Sequence, residues 1–390
     1  MNEPPVNEPP VLYLDYAATT PVDPRVRQAM AACLAAPPGN ASSAHRAGRA
    51  ARARVEAARA EVAALVQAPP ESIVFTSGAT EADNLAILGA ARGNAARGRH
   101  LVSLRTEHRA VLDPLARLER EGFRVTLLTP GRDGLVDPDE LAGALGPQTT
   151  LVSVMLVNNE IGVVQDIPAI AAACRRHGAL LHVDAAQAAG RVPLAVGALD
   201  ADLVSLAAHK VHGPVGVGAL YVRREPRPTL VPLAVGGGQE AGLRPGTLPV
   251  HQIVGMGAAY ALARAALDEE PARLAALRDR LWAALADLPG VLLNGHPRRR
   301  APHILNVSVE GVDGESLLYA LGSLAVSTGS ACGAGHGEPS YVLRALGRDD
   351  ALAQASLRFS FGRPTTVAEV DLAAERVRAA ILRLRALAPA

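Results

Sequence analysis

From about residue 70 onward, short runs of aliphatic residues alternate with longer alanine-rich stretches of helical character. The runs at 72–76, 101–104, 151–157, 180–183 and 203–206 are mostly Val, Leu or Ile. Such runs suit strands buried on both faces, and their alternation with helical segments predicts an α/β fold with a mostly parallel sheet flanked by helices. A polar set follows each run at once: Ser77-Gly-Ala-Thr80, Thr106-Glu-His108, Asn158-Asn-Glu160, Asp184-Ala-Ala-Gln187 and His209-Lys210. Open α/β sheets bind ligands outside the carboxyl ends of their strands, so these five sets, distant in sequence, are expected to meet in one crevice.

Composition narrows the picture. The 390 residues are 49% hydrophobic, with no apolar run long enough to span a bilayer, which fits one large or two coupled globular domains. A net charge of +1, with basic and acidic residues interspersed, argues against nucleic-acid and membrane surfaces as partners. The run Arg298-Arg299-Arg300 is expected to be a solvated loop. Cys33, Cys174 and Cys332 are sparse and lack metal-ligand spacing, so no metal site and a reducing compartment, the cytoplasm, are expected. Cys33 and Cys174 sit in alanine-rich helical patterns and read as inert. Residues 1–10 contain the duplication Asn2-Glu-Pro-Pro-Val6 and Asn7-Glu-Pro-Pro-Val11 overlapping their end, and read as a disordered tail.

The chemistry starts from a count. Of the 39 basic residues other than histidine, Lys210 is the one lysine. Guanidinium stays protonated at biological pH, whereas a desolvated amine can be tuned to act as a nucleophile, so Lys210 is a candidate for binding a carbonyl; an accident of composition is the alternative. Asp184 ends a buried strand, where a carboxylate needs a cation, either a protonated heteroaromatic nitrogen or an arginine. The strand–glycine–helix passage at Thr76-Ser-Gly-Ala-Thr-Glu-Ala-Asp83, with its helix starting near Ala79, offers free N–H groups and the Thr80 hydroxyl to a phosphate, although ordinary helix capping would use the same residues. His108 is placed to stack on a flat cofactor and carry protons, or to be a plain surface histidine. Together, a carbonyl-binding lysine, an aspartate for a ring nitrogen, a phosphate-binding helix start and a stacking histidine match the needs of pyridoxal 5′-phosphate. Gln187, three residues after Asp184, is then placed to donate to the ring's phenolic oxygen. Cys332 lies among Gly329, Gly333, Gly335 and Gly337, a setting unlike that of a core cysteine, and is read as a nucleophile on a mobile loop at about 327–340.

The chain resembles the cysteine desulfurases of the class V aminotransferase family. The matching stretches are Leu14-Asp-Tyr-Ala-Ala-Thr-Thr-Pro21, Phe75-Thr-Ser-Gly-Ala-Thr-Glu81, Val157-Asn-Asn-Glu-Ile-Gly162, His182-Val-Asp-Ala-Ala-Gln187, His209-Lys210, Arg244-Pro-Gly-Thr-Leu-Pro-Val-His-Gln252, Ser330-Ala-Cys332 and Arg358-Phe-Ser360. The resemblance implies a type I pyridoxal-phosphate transferase fold, with a large cofactor domain over 21–262 and a smaller α+β domain from 11–20 and 263–390, assembled as a homodimer. It implies that Lys210, Asp184, Gln187, Ala79, Thr80, Asn159, His209 and His108 bind the cofactor and that Thr247 reaches the phosphate of the neighbouring subunit. Arg358 and Asn159 would bind L-cysteine, with Lys210, His108 and Cys332 catalytic. The products would be L-alanine and a Cys332 persulfide, passed to an acceptor protein such as an iron–sulfur scaffold or a thiolation relay. The Glu338-Pro-Ser340 ending resembles the long-loop group that delivers sulfur directly to partners. Three positions depart from the family's pattern: Ala207 and Pro245 replace its usual serines, and Gly333 follows the cysteine where Thr or Ser is usual. Two other readings are another enzyme of the family, such as an aminotransferase or selenocysteine lyase, and a cofactor-binding partner protein with vestigial catalysis.

Overall fold

The structure is a computed structural model and describes residues 11–328 and 338–387. The aliphatic runs are strands of a seven-stranded sheet. In chain order its strands are β1 (Ile73–Thr76), β2 (His100–Leu104), β3 (Arg124–Leu128), β4 (Thr149–Met155), β5 (Leu180–Asp184), β6 (Leu203–Ala207) and β7 (Gly218–Val222), arranged β1-β7-β6-β5-β4-β2-β3. The ladders joining β6 to β5, β5 to β4, β4 to β2 and β2 to β3 are parallel, and β7 runs antiparallel to both β1 and β6. The fold class expected from the sequence is therefore observed, with β7 as the one reversed strand of this sheet. The predicted run 151–157 becomes a strand two residues earlier, and Val157 instead makes an isolated bridge to Val164.

Helices α1 (Pro24–Ala35), α2 (Arg46–Val66), α3 (Ala79–Gly93), α4 (Arg109–Arg120), α5 (Ile167–His177) and α6 (Val250–Ala265) accompany this sheet. Local chemistry sets their starts: Asp23 accepts the Arg25 N–H with Pro24 at the first helical position, and Asp166 accepts from Ala169 N before Pro168. Small residues let α6 lie close to α2, since a Cβ added at Gly257 would come within 2.7 Å of Ala58 Cα. Cys174 is buried on α5, and Cys33 is partly exposed on α1.

A second, antiparallel sheet, β8 (Val291–Leu293), β9 (Ile304–Val309) and β10 (Ser356–Ser360), has β9 at its centre. It shares a separate apolar core with α7 (Glu270–Leu285) and α8 (Val367–Leu387), built around Leu277, Leu281, Val307, Phe359 and Val377. The N-terminal residues join this unit, because Leu12–Tyr13 pairs in parallel with Leu324–Ala325. The arginine run is less solvated than expected. Arg298 and Arg299 are exposed, but Arg300 is half-buried and donates to the carbonyls of Ile161 (3.1 Å) and Asn294 (2.7 Å), closing a loop that backbone pairing with Val163 already holds. No helix among the described residues is long and apolar enough to cross a membrane.

An ionic clamp ties the two cores. Glu270, at the start of α7, pairs with buried Arg191 and with Arg363 Nε (2.8 Å), and Arg363 Nη1 reaches Asp23 at 3.0 Å. Burial by itself would raise the Glu270 carboxyl, but Arg191 and Arg363 hold it below its ordinary value; Arg25 and Arg363 do the same for Asp23. Carboxyls depressed by folding contribute stability above their ordinary pKa, and the contribution is lost as pH falls. Glu270→Ala is expected to lower the unfolding free energy by about 3–5 kcal/mol at pH 7, since it strands the buried Arg191 charge. In denaturant titrations the gap between wild type and variant should close as the pH is lowered below about 4.

Candidate active site

The five polar sets do meet. They line a cleft of about 530 Å³ at the carboxyl ends of β1, β2, β4, β5 and β6, joined by Ala17 and Ala18 from the N-terminal segment and by Arg358 from β10. Lys210, just beyond β6, donates through Nζ to the carbonyls of Ala17 (2.5 Å) and Ala18 (2.9 Å). His209 is tied to the same segment, its carbonyl accepting from both the backbone N–H and the hydroxyl of Thr20 and its Nδ1 lying 3.2 Å from Thr19 Oγ1. Burial, reinforced by the Lys210 charge, lowers the His209 imidazole to about 4, so this ring is neutral at physiological pH.

Asp184 is 7% exposed, and its Oδ1 accepts the Ala186 N–H at 2.9 Å. Burial, then the charge of Asp83, raises its carboxyl to about 6. Beneath it lies a polar layer that the sequence reading passed over. His182 is fully buried on β5, with Nδ1 2.8 Å from Ser153 Oγ, and with Nε2 2.9 Å from Ser205 Oγ and 3.5 Å from Asp83 Oδ1. Glu107 is also fully buried; its Oε1 accepts from Met155 N (3.0 Å), and its Oε2 has no hydrogen-bond partner among the described residues. Burial, helped by the charges of Asp184 and Asp83, pushes the Glu107 carboxyl well above its ordinary value. His108 caps α4, its Nδ1 accepting from Ala110 N at 3.1 Å. That bond leaves Nε2 as the protonated nitrogen of the neutral ring.

Arg358, 3% exposed, enters the cleft from the second sheet. It donates to the Asn159 carbonyl (2.8 Å), to Asp15 Oδ1 (2.7 Å) and to Ser327 Oγ (3.0 Å), and its Nε has no partner among the described residues. Asn158 is structural: it donates to the Thr106 carbonyl and accepts from Glu160 N and Ile161 N, fastening the β4 turn to the β2 turn. Gln187 lines the cleft, but its amide already donates to the Ala17 carbonyl at 2.8 Å. Thr247 is exposed and does not line this chain's cleft. Cys332 lies outside the described residues.

The residues present fit pyridoxal phosphate. Asp184 is a buried carboxylate short of a cation, and the Asn159 Oδ1 at the wall is buried with no hydrogen-bond partner among the described residues. Lys210 supplies the primary amine, and Gly78 opens α3 with nothing within 4 Å of where a Cβ would stand, leaving its first N–H groups and Thr80 facing the cleft. Ala207 is fully buried and absent from the lining, so the position that departs from the usual serine adds no hydroxyl.

The sequence profile of the class-V aminotransferases matches residues 12–372. The chain belongs to the class-V aminotransferase family. A member from Pectobacterium atrosepticum, the cysteine desulfurase IscS, is 55% identical over 381 residues, spanning 97% of this chain and 94% of its own length. Among solved structures of the family, a NifS-like protein superposes with a TM-score of 0.89 at 34% identity, covering 96% of this chain and 100% of its own. SspA, solved in complex with cysteine, superposes with a TM-score of 0.80 at 36% identity, covering 90% of this chain and 98% of its own. Like other members of the family, the chain is a pyridoxal-phosphate-dependent enzyme.

Replacing Asp184 by Asn is expected to act in opposite directions on the cofactor-free and cofactor-loaded protein. A carboxyl raised by folding costs stability as pH climbs through its folded value, so cofactor-free Asp184→Asn should be more stable than wild type by about 1–3 kcal/mol at pH 8 and no different at pH 4. Its affinity for pyridoxal phosphate should fall by about tenfold or more, read by equilibrium dialysis.

Proposed function

We propose that the chain is a cysteine desulfurase that converts L-cysteine to L-alanine and leaves the sulfur as a persulfide on Cys332. The observation that carries this reading is the convergence of Lys210, Asp184, His108 and Arg358 on one cleft in a chain 55% identical to a cysteine desulfurase. The thiol of Cys332 takes the substrate's sulfur and keeps it as S–SH, while the amino acid gains the hydrogen that sulfur leaves behind, so cysteine plus thiol gives alanine plus persulfide in balance.

When bound, pyridoxal phosphate supplies the electron sink that makes the substrate's α-proton acidic. Asp184 holds a proton on the ring nitrogen, Asn159, Gln187 and His209 frame the ring, and Ala79 and Thr80 at the start of α3 hold the phosphate, with Thr247 completing the phosphate site of a partner subunit in a homodimer. Lys210 would hold the cofactor through its amine and would take the substrate's α-proton. Arg358 receives the substrate carboxylate on its fork, aided by an Nε that has no partner among the described residues, and gives a bidentate contact that lysine lacks. His108, with its proton on Nε2, moves protons at the substrate sulfur. The first core forms the cofactor domain over 21–262, and 11–20 with 263–390 form the smaller domain. The sulfur then passes in the cytoplasm to an acceptor protein, an iron–sulfur scaffold or a thiolation relay.

The test is alanine release from L-cysteine by the cofactor-loaded enzyme with a reductant to clear the persulfide. Wild type should release alanine and sulfide in equal amounts, and Cys332→Ala should lose at least about a hundredfold in rate while keeping the cofactor. Equal rates in the two proteins would refute a Cys332 persulfide. No turnover by wild type with cofactor in place would refute the desulfurase reading.

A further inference from the structure

Both described flanks of the Cys332 segment are fastened to the wall of the cleft. On the near side, Ser327 is paired through its backbone with Arg358 and accepts the Arg358 Nη2 through its hydroxyl. On the far side, Ser340, 3% exposed, donates to Oε2 of Glu160 at 2.5 Å. The same serine hydroxyl accepts from Leu343 N (3.2 Å), capping the short helix Tyr341–Ala345. The Tyr341 hydroxyl then reaches the Glu107 carbonyl at 2.7 Å, under the Arg109 guanidinium. Val342 and Leu343 are buried against Ile161 and Val163, so the chain after Ser340 is seated on the turn that begins at Asn158.

Glu160 is the junction of this arrangement. It is 5% exposed, its backbone carbonyl accepts from Asn306 on β9, and its neighbour Asn159 holds Arg358. Burial raises its carboxyl to about 7, against the pull of Ser340, Arg358 and His108. This carboxyl, bonded to Ser340, is not among the residues that line the cleft. We propose that Glu160 is a positioning residue, whose bond to Ser340 fixes the chain on the C-terminal side of Cys332 and so sets the approach of the thiol to substrate sulfur. This rests on the desulfurase reading and adds to it a residue that touches neither cofactor nor substrate.

Glu160→Ala, Ser340→Ala, the double variant and Glu160→Gln decide it. Each alanine variant should lower kcat for alanine release by about fivefold or more while KM for cysteine and the cofactor absorbance stay within about twofold. The double variant should be no slower than the slower single, because both changes remove the same Ser340–Glu160 bond and Ser340→Ala alone also removes the Leu343 cap, and Glu160→Gln, whose amide oxygen still accepts from Ser340, should keep at least about half of the wild-type kcat. In cofactor-free protein, the rate of Cys332 alkylation by iodoacetamide, followed on its peptide by mass spectrometry, should change by about threefold or more in both alanine variants and not in Glu160→Gln. Alanine variants with wild-type kcat and alkylation rate, losses that multiply in the double variant, or a glutamine variant as slow as the alanine one would each overturn the proposal. If wild type itself releases no alanine, the desulfurase reading falls and the alkylation rates alone decide whether Glu160 positions Cys332.

Discussion

A nearly buried carboxylate at the floor of the cleft governs it. Asp184 ends a strand with a neighbour on each side, so the backbone cannot move it outward, and its charge must be met by whatever occupies the cleft. The layer beneath follows from that demand. His182 satisfies both ring nitrogens with serines from the two flanking strands, and burial, with the charges of Asp184 and Asp83 beside it, holds the Glu107 carboxyl well above its ordinary value. The cleft is thus held short of one positive charge by residues that have no freedom to relax, a form of preorganisation that costs stability when the cleft is empty and returns it when a cation arrives.

The second dependence is on the N-terminal segment, which is a strap more than a domain edge. Its strand residues Leu12–Tyr13 pair with Leu324–Ala325, its Asp15 pairs with Arg358, and its Ala17 and Ala18 carbonyls receive Lys210. Lys210 and Arg358, the residues proposed to hold the cofactor and the substrate carboxylate, are therefore oriented by a single stretch of chain. Arg358 also grips Ser327, so the strap and the chain at Ser327 meet at this arginine.

What the sequence revealed, and what it hid, follows from how each feature is encoded. Runs such as Leu180–Asp184 and Leu203–Ala207 were legible because both faces are buried and nearly every residue had to be apolar or special. Arg124–Leu128 escaped notice because it is an edge strand with partly exposed side chains, and Gly218–Val222 because its glycine start and reversed direction break the strand–helix rhythm. In the site, Lys210, Asp184 and His108 stood out by residue type and place, whereas the Ala17 and Ala18 carbonyls give no side-chain signal at all. Glu160 and Asp83 were quoted within motifs without a role, since only tertiary contact brings Ser340 to the one and His182 to the other. Arg300 was misjudged for the same reason: its partners are backbone carbonyls from elsewhere in the chain.

The near-total replacement of lysine by arginine has a practical side. Lys210 is the sole side-chain amine of the chain and stands inside the cleft against two carbonyls. A lysine-specific endoprotease has one bond to cut, and an acylating dye that targets side-chain amines has one address. Labelling chemistry that in other proteins paints the whole surface becomes, in this one, a direct report on whether the cleft is open or filled.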